Sequence, residues 1–287
     1  MCKSSQFSQN KEINIKGNLI SLSIPLVMGI LNVTDDSFYD GGKYNKFADA
    51  IKRAEQIIEE GAEIIDIGAC STRPGAIMVS EEEELNRLVP IVKEIRYRFP
   101  KTIISIDTFR SKVAEVVCNL GCDIINDISG GQFDDKLFDT IAQYQAVYIL
   151  THTNTTPDRM QKEIKYNNIF LDICKYFSEK IERLNQLGVN DIILDLGFGF
   201  GKTIEHNYEL LRRQKEFELF NLPILTGISR KSMIYKPLNL TPKDVICETT
   251  FLHAFALENG ANILRVHDVK TAKNCVQLYK LYKNSKS

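Results

Sequence analysis

Cationic side chains cluster at two places late in the chain, and their types suit the capture of an anion. Arg230 and Lys231 stand side by side at the end of an apolar run at 223–229. Arg265 and His267 end a second apolar run, and residues two apart on a strand point to the same face. Guanidinium and ammonium groups that converge on one cavity bind phosphate-type anions. The pattern therefore predicts a site for a phosphorylated ligand.

Two carboxylates follow apolar runs in the same way. Asp107 ends the segment SID and Asp195 ends the segment ILD. A single aspartate at such a place is most often a helix cap or a turn residue, because its side chain accepts backbone N–H groups there. Two carboxylates gathered in one cavity need cations or hydrogen-bond donors to remain ionised. A ligand rich in N–H donors would suit them.

Two polar loops carry further candidates. The long loop at 32–42 begins with Asn32, whose amide oxygen is a hard ligand of the kind that Mg²⁺ prefers. The segment STRPG at 71–75 has the Pro-Gly pair of a surface turn, and the guanidinium of Arg73 within it could reach a phosphate or a carboxylate.

The glycine-rich segment GFGFGKT at 197–203 does not match a nucleotide-binding motif. A P-loop requires a glycine five residues before Gly201, where Leu196 stands, and a dinucleotide fingerprint requires a glycine where Lys202 stands. ATP and NAD are therefore disfavoured. We expect the glycines to form a tight loop that approaches a flat ligand, with Phe198 or Phe200 packing against it.

These residues depend on a regular succession of elements. Eight apolar, β-branched runs alternate with segments of helical spacing, as in 45–61, where Gly61 supplies a C-terminal stop. The eight runs lie at 24–32, 63–69, 102–108, 122–129, 146–153, 191–197, 223–229 and 261–268. Nearly every run ends in polar residues.

Continuous hydrophobicity indicates strands that are covered on both faces, as in parallel sheets. Eight such units favour a closed (β/α)8 TIM barrel, in which all the polar strand ends meet at one rim, and a Rossmann-like open sheet is the alternative. The segment INIKGNLISLS could form an N-terminal hairpin that closes the barrel floor. Since no linker divides the chain, we expect a single domain over 1–287.

Composition excludes several classes of protein. The chain has 36 Lys and Arg against 37 Asp and Glu, so no overall field attracts nucleic acid or an anionic membrane. The longest apolar runs are shorter than a membrane span, and the polar N-terminus lacks the apolar stretch of a signal peptide. The seven cysteines form no CxxC pair, which favours reduced thiols and a cytoplasmic location.

Seven segments together resemble the dihydropteroate synthase family, in the family's order from residue 28 to 269. They are MGILNVTDDSF, IIDIGACSTRPGA, SIDTFRSKVA, IINDISGG, ILDLGFGFGKT, GISRKS and RVHDV. The resemblance implies a pterin-binding barrel and a transferase of folate biosynthesis, the target of sulfonamides. Its reaction joins 6-hydroxymethyl-7,8-dihydropterin diphosphate to 4-aminobenzoate, with Mg²⁺ on the departing diphosphate. The family also commonly forms homodimers.

The resemblance implies where the pterin and the diphosphate bind. Asp107, Asn126, Asp195 and Lys231 should line the pterin pocket, with the Asp195 carboxylate accepting paired hydrogen bonds from the amino and N–H groups of the ring. Groups for the diphosphate should be Asn32 with Mg²⁺, Arg73, Arg265 and His267. The implied catalytic residues are Lys231, Asp107, Arg73, Arg265 and His267.

The second substrate has its own implied site. The 4-aminobenzoate should sit among Thr72, Pro74, Phe200 and Ser232, beside Lys231. Its carboxylate should lie near the backbone N–H groups that open the helix after Lys231. The arylamine would then attack a loose, carbocation-like pterin, which requires no activated nucleophile.

The chain departs from the family pattern at several positions. Asp35 and Tyr39 replace residues of the first loop, Cys70 follows Ala69 where Gly-Glu is usual, and Leu196 replaces a proline. The segment 151–161 replaces one that contains methionine, so that Thr151 or Thr153 should give a more polar pterin wall. These changes bear on the affinity for 4-aminobenzoate and for sulfonamides.

Two other functions fit a pterin-binding barrel. One is a methyltransferase domain that passes a methyl group from methyltetrahydrofolate to a corrinoid, and the other is a pterin-binding paralogue without catalysis. The Ser-Arg-Lys and Arg-Val-His-Asp segments argue against the first, since methyl transfer has no diphosphate to stabilise. The intact set of charged residues argues against the second.

Overall fold

The computed structural model describes residues 12–33, 43–70, 78–154 and 164–285, with the backbone alone at 43–46. Two strands form an antiparallel hairpin, β1 (Glu12–Ile15) and β2 (Asn18–Ser21). Eight parallel strands follow: β3 (Leu26–Asn32), β4 (Ile64–Gly68), β5 (Ile103–Asp107), β6 (Ile124–Asp127), β7 (Val147–Thr151), β8 (Ile192–Asp195), β9 (Ile224–Thr226) and β10 (Ile263–Val266).

These eight strands close into a barrel, because β10 pairs with both β9 and β3. The predicted (β/α)8 barrel is therefore confirmed, and the open Rossmann-like sheet is wrong. Each of the eight predicted runs contains one strand, although the strands are shorter than the runs. Several of the polar residues at the ends of the runs, such as Asn32, Asp107 and Asp195, are the last residues of their strands, and others, such as His152 and His267, lie in the loops that follow.

Helices connect the strands around the outside. They are α1 (Lys43–Glu59), α2 (Glu81–Arg98), α3 (Ser111–Asn119), α4 (Leu137–Tyr144), α5 (Ile169–Gln186), α6 (Ile204–Arg213), α7 (Ser232–Tyr235), α8 (Ile246–Glu258) and α9 (Val269–Asn284), and a 3₁₀ helix spans Gln214–Phe220. In the described part of the chain, none of these helices combines the length and apolar character needed to cross a membrane.

Local signals in the sequence set the ends of these helices. Ser80 caps α2 by accepting the N–H of Glu83 at 3.1 Å, and glutamates fill the first turn, where the helix dipole favours negative charge. After α1, Gly61 has a φ of +96° and donates its N–H to the carbonyl of Ile58. The predicted glycine stop is thus confirmed.

Strand alternation divides the apolar side chains into two layers. On β7, Val147 and Ile149 point into the barrel, whereas Tyr148 and Leu150 pack outward against the helices. The interior cluster includes Met28, Ile64, Ile124, Ile193, Leu225 and Ile263. Above this apolar plug the inward positions become polar, so the alternation itself delivers the site residues to one cavity.

The hairpin closes the lower end of the barrel. Ile13 and Ile15 are buried in the same cluster as the interior side chains of the strands. The N–H of Asn14 donates to the carboxylate of Asp191 at 2.7 Å, and Lys16 Nζ lies 2.8 Å from Asp123 Oδ1. Both aspartates precede a barrel strand, which places the hairpin at the N-terminal ends, opposite the polar rim. The predicted floor is confirmed.

Candidate active site

A network of polar side chains from β4, β5, β6 and β10 lies above the apolar plug. Asp66 on β4 is fully buried and accepts three hydrogen bonds, from Ser105 Oγ at 2.6 Å, Asn126 Nδ2 at 3.1 Å and Arg265 Nε at 2.6 Å. Arg265 also donates from Nη2 to Asp107 Oδ2 at 2.9 Å. The barrel register explains these contacts, because Asp66 pairs with Ser105 and Asp107 with Asn126 on adjacent strands.

One guanidinium therefore lies between two buried carboxylates. Burial raises the pKa of Asp107, Arg265 lowers it in part, Asp66 raises it further, and the resulting pKa is about 7. For Arg265, burial lowers the pKa, but the attraction of Asp66 and Asp107 outweighs burial and raises it. The guanidinium stays charged, and the Asp107 carboxyl is about half protonated near pH 7.

Asp195 lies beside this network at the end of β8. Its Oδ1 accepts the N–H of Gly197 at 2.8 Å. A methyl group placed on Gly227 would be 3.9 Å from Asp195 Oδ2 and also 3.9 Å from Arg265 Cδ, so the two side chains flank the bare backbone of that glycine. Burial raises the pKa of Asp195, and Lys231 opposes that rise. The second carboxylate oxygen is thus turned toward the cavity that Arg265 also borders.

Lys231 precedes α7 and reaches back over the same cavity. Its ammonium donates to the carbonyl of Phe198 and lies 4.8 Å above the centre of the Phe200 ring. Burial lowers its pKa to about 8, although the carboxylates of Asp195 and Asp107 act in the opposite direction. Asp195, Lys231 and Arg265 therefore interact electrostatically within one cavity, as the sequence predicts.

Of the two adjacent cations, only Lys231 takes part in this cavity. Arg230 has a φ of +55° and forms a paired salt bridge with Asp268, from Nε at 2.9 Å and from Nη2 at 2.5 Å. These contacts do not support the expectation that Arg230 joins the anion site, because its charge is matched by Asp268. The pair instead fixes the turn that presents Lys231.

His267 stands on the same side of the barrel mouth, two residues beyond Arg265. Its Nδ1 lies 3.1 Å from Ser229 Oγ, and its backbone N–H donates to the same oxygen at 3.2 Å. The ends of β9 and β10 are thereby tied together beside the charged cavity.

Asn32 ends β3 next to Gly68 and Asp107. A methyl group on Gly68 would lie 3.8 Å from Asn32 Oδ1 and 3.7 Å from Asp107 Oδ2. Two hard oxygens therefore face the space that the missing side chain of Gly68 leaves open. Among the described residues, no group of three or more His, Cys, Asp or Glu side chains could hold a metal ion.

The loop between β8 and α6 supports Lys231 and Asp195 through its backbone. Lys202 is buried, and its ammonium donates to the carbonyls of Gly197 at 2.9 Å and Phe200 at 3.1 Å, with His152 Nδ1 2.9 Å away. Burial lowers its pKa to about 7, against the attraction of Asp195. Lys202 thus fixes the conformation of the loop through hydrogen bonds to its carbonyls.

The two phenylalanines of this loop differ in position. Phe198 is fully buried in the outer core, so the expectation that it is free to contact a ligand is wrong for that residue. Phe200 is half-buried beneath Lys231, and Ser232, also half-buried, opens α7 nearby. Thr72, Arg73 and Pro74 lie outside the described residues, as do Asp35 and Tyr39.

Sequence reasoning assigned no role to Asp66 or Lys202. Asp66 stands at a polar strand end like the others. The signal that could have found it is its position two residues before Gly68, which puts both residues on the face of β4 that points into the barrel. In the sequence, Lys202 stands out only as a mismatch to the nucleotide-binding motifs. Its role depends on loop carbonyls that converge on one point, which no side-chain pattern reveals.

The fold is that of the (β/α)8 enzymes, which build their active sites at the rim where Asp107, Asp195, Lys231 and Arg265 meet here. Comparison with known proteins specifies that class further. Residues 28–267 match the family described as pterin binding enzyme. Dihydropteroate synthase of Escherichia coli (strain K12) is 46% identical over 257 residues, covering 89% of this chain and 90% of that protein.

Solved structures agree. A crystal structure of the Yersinia pestis dihydropteroate synthase in complex with a sulfonamide drug has a TM-score of 0.90 at 39% identity and covers 96% of this chain and 100% of that one. Xanthomonas albilineans dihydropteroate synthase with 4-aminobenzoic acid has a TM-score of 0.89 at 29% identity, covering 97% and 100%. The chain belongs to the dihydropteroate synthases, which are transferases of folate biosynthesis. The methyltransferase and non-catalytic alternatives are not favoured.

Proposed function

We propose that this chain condenses 6-hydroxymethyl-7,8-dihydropterin diphosphate with 4-aminobenzoate to give 7,8-dihydropteroate and diphosphate. The observation that carries the proposal is the convergence of Asp107, Asp195, Lys231 and Arg265 on one cavity at the barrel rim. The reaction needs such a cavity, because the pterin ring presents N–H groups and the departing diphosphate is an anion. The related Xanthomonas albilineans enzyme was solved with 4-aminobenzoic acid, which supports the second substrate by analogy.

The pterin pocket in this proposal consists of Asp107, Asn126, Asp195 and Lys231. Asp195 keeps Oδ2 for the ring, since Gly197 occupies Oδ1. The amide of Asn126 is oriented by its hydrogen bond to Asp66, which leaves its oxygen as an acceptor. The ring is thus bound by acceptors on one side and by the Lys231 ammonium on the other.

The diphosphate is held by Asn32, Arg73, Arg265 and His267. Asp66 and Asp107 engage Nε and Nη2 of Arg265, and the remaining N–H groups of the fork stay available for an anion. Because the guanidinium is fixed in advance, it stabilises the charge that grows on the diphosphate as the C–O bond breaks. Leaving-group stabilisation is the main contribution of these residues, and no nucleophilic side chain takes part.

Magnesium fits the same place. Asn32 Oδ1 and Asp107 Oδ2 both face the space above Gly68, and Mg²⁺ typically takes one or two protein oxygens, several waters and the oxygens of a substrate phosphate. Asn32 would hold the ion, with Asp107 beside it. When bound, Mg²⁺ supplies positive charge to the departing diphosphate.

The 4-aminobenzoate is placed among Thr72, Pro74, Phe200 and Ser232. Support from the described residues comes from Phe200, whose ring is held under the Lys231 ammonium, and from Ser232 at the start of α7. A sulfonamide would occupy the same place, since it presents an arylamine in the same position relative to its acidic group.

The proposal is tested by incubating the purified chain with the pterin diphosphate, labelled 4-aminobenzoate and Mg²⁺. Labelled dihydropteroate should form together with one diphosphate per product. A matched reaction with free 6-hydroxymethyldihydropterin, which lacks the leaving group, should give none. If pterin diphosphate binds but no labelled product forms, the chain is a pterin-binding protein without synthase activity.

We further propose that the chain acts as a homodimer of single-domain subunits in the cytoplasm. Neighbouring helices α8 and α9 expose Phe251, Phe255, Leu278, Leu281 and Tyr282, each between 48% and 68% exposed. Such a contiguous apolar face is typical of a surface that another chain covers. The barrel closes on itself and is plugged by its own hairpin, which supports one domain, and the six described cysteines are free thiols.

A further inference from the structure

The hydroxyl of Thr151 is a buried polar group that the proposed mechanism does not use. Thr151 is the last residue of β7, it is 1% exposed, and its Oγ1 has no hydrogen-bond partner among the described residues. A buried hydroxyl without a partner costs about 1–3 kcal/mol of stability, so native proteins rarely keep one without a reason. A bound ligand next to β7 would supply the partner that the described residues do not.

The alternation of side chains along β7 directs this hydroxyl toward the barrel interior. Val147 and Ile149 point into the barrel, and Thr151 follows them at the same two-residue period. On the neighbouring strand, Thr151 is paired in register with Asp195. The hydroxyl thus lies on the same inner wall as the carboxylate that we place against the pterin, one strand away.

A second buried threonine at a strand end differs from Thr151 in its hydrogen bonding. Thr226 ends β9 and is also buried, but it points outward, and its Oγ1 donates to Gln214 Oε1 at 2.7 Å. Two threonines of equal burial at equivalent strand ends therefore differ in one respect. The outward hydroxyl of Thr226 is hydrogen-bonded by the protein, whereas the inward hydroxyl of Thr151 has no partner among the described residues.

We propose that Thr151 is a specificity-determining residue of the pterin site, whose hydroxyl hydrogen-bonds the pyrimidine edge of the ring beside the groups that Asp195 binds. This inference rests on the proposed function. The edge carries an amino group, a ring N–H and a carbonyl oxygen in succession, and a hydroxyl both donates and accepts. The hydroxyl therefore complements the group next to those held by the carboxylate.

The chemistry also implies discrimination. A site that hydrogen-bonds a polar edge rejects an analogue that lacks the matching group, because the hydroxyl is then left buried and unpaired. The segment that begins at Thr151 stands where the related family has methionine, which offers no such hydrogen bond. The contact would thus distinguish this chain from relatives that carry the methionine.

The test compares Thr151→Val, Thr151→Ser and the matched control Thr226→Val by calorimetric titration with the pterin diphosphate. Valine keeps the shape of threonine but removes the hydroxyl. Loss of one hydrogen bond worth about 1 kcal/mol predicts a Kd for Thr151→Val that is roughly fivefold higher. Thr151→Ser and Thr226→Val should stay within about twofold of the wild type.

The unliganded proteins provide an independent measurement. Thr151→Val removes an unpaired hydroxyl and should unfold at or above the Tm of the wild type, whereas Thr226→Val leaves Gln214 unpaired and should unfold below it. An unchanged Kd for Thr151→Val would overturn the inference, and so would a loss of Tm equal to that of Thr226→Val, which would mean that the hydroxyl has a partner within the protein.

Failure of the synthase proposal would look different. A wild-type chain that binds the pterin diphosphate but forms no dihydropteroate would refute the proposed reaction and leave the Kd comparison valid. A wild-type chain that forms product, together with a Thr151→Val variant that binds as tightly, would refute the role of Thr151 alone.

Discussion

Lys231 and Arg265 differ in how firmly the rest of the protein holds them. The Lys231 ammonium has one protein acceptor, the carbonyl of Phe198, and it remains half-buried. Arg265 balances two carboxylates, one of them fully buried. Removing the first cation should therefore affect chemistry more than folding, and removing the second should affect both.

We expect Lys231→Ala to lower kcat by roughly 100-fold, in line with loss of one preorganised charged donor, while Tm stays close to that of the wild type. Arg265→Ala should lose at least as much turnover and also about 3–5 kcal/mol of stability, because Asp66 is left buried without its cation. Steady-state kinetics and urea unfolding measure both effects.

The control for these two variants is Lys236→Ala, an exposed lysine five residues after Lys231. It should change neither kcat nor stability, since surface charges away from a site contribute little. Turnover at the wild-type rate in both Lys231→Ala and Arg265→Ala would refute the site assignment.

Asp107 should make the stability of the protein depend on pH. Its pKa is about 7 in the folded chain against an ordinary value of 3.8, so between these values the folded state binds a proton that the unfolded state releases. Stability therefore decreases as pH rises from about 4 to about 7. Asp107→Asn removes the titration and keeps an acceptor for Arg265.

We accordingly expect the stability gained by Asp107→Asn, relative to wild type, to be small at pH 4 and to grow to the order of a few kcal/mol by pH 8. Urea unfolding at both pH values measures this difference. A gain that is larger at pH 4, or equal at the two pH values, would show that the carboxyl is ionised in the folded chain throughout.

Among the elements, the loop from β8 to α6 has backbone groups that contact both Asp195 and Lys231. Gly197 has a φ of +67°, and a methyl group there would lie 2.0 Å from the carbonyl oxygen of His152. That oxygen belongs to the chain just after β7, so any side chain at this position must push the loop away from the neighbouring strand.

Gly188 provides a matched comparison, since its φ is +79° and a methyl group there would have no neighbour within 4 Å. Gly188→Ala should cost about 1–2 kcal/mol, the strain of the left-handed backbone alone. Gly197→Ala should cost clearly more and should also reduce turnover, because the displaced loop carries the carbonyl that holds Lys231. Equal losses of stability with unchanged kinetics would mean that the loop yields without consequence.

The sequence predicts the elements well and the side-chain partners less well. Strands such as β4 and β8 are continuous apolar runs between helical segments, and that pattern depends only on local composition. The partners of the side chains depend on the register between strands and on contacts made across the barrel. Arg265 meets Asp66 across 199 residues of sequence, and Arg230 pairs with Asp268 across 38 residues.

At the scale of the whole molecule, a ligand that binds only the folded chain should stabilise all of it. Pyrophosphate with Mg²⁺ stands in for the departing group, and at 100 times its Kd it should add about 2.7 kcal/mol, which corresponds to several degrees in Tm. The shift should shrink when EDTA replaces Mg²⁺. If millimolar pyrophosphate with Mg²⁺ gives no shift, the anion site has been placed wrongly.

The proposed dimer is the other whole-molecule property, and it separates assembly from chemistry. The face on α8 and α9 lies on the outer surface of the barrel, whereas Asp107, Asp195, Lys231 and Arg265 all come from one chain and meet at its mouth. A subunit without its partner should therefore still bind a pterin. The double variant Phe251→Glu with Phe255→Glu places two carboxylates in the apolar face, where burial of a charge is costly.

Sedimentation velocity at micromolar concentration should give twice the chain mass of 32.7 kDa for the wild type and the single mass for the double variant. Tyr97→Glu, at an 84% exposed position on α2, is the control and should remain dimeric. A wild-type chain that sediments as a monomer would refute the dimer, and a double variant that stays dimeric would place the interface elsewhere. Pterin binding by the monomeric variant would show that one barrel contains the whole pocket, because Asp107, Asp195 and Arg265 lie on strands of one sheet and Lys231 opens α7 of the same chain.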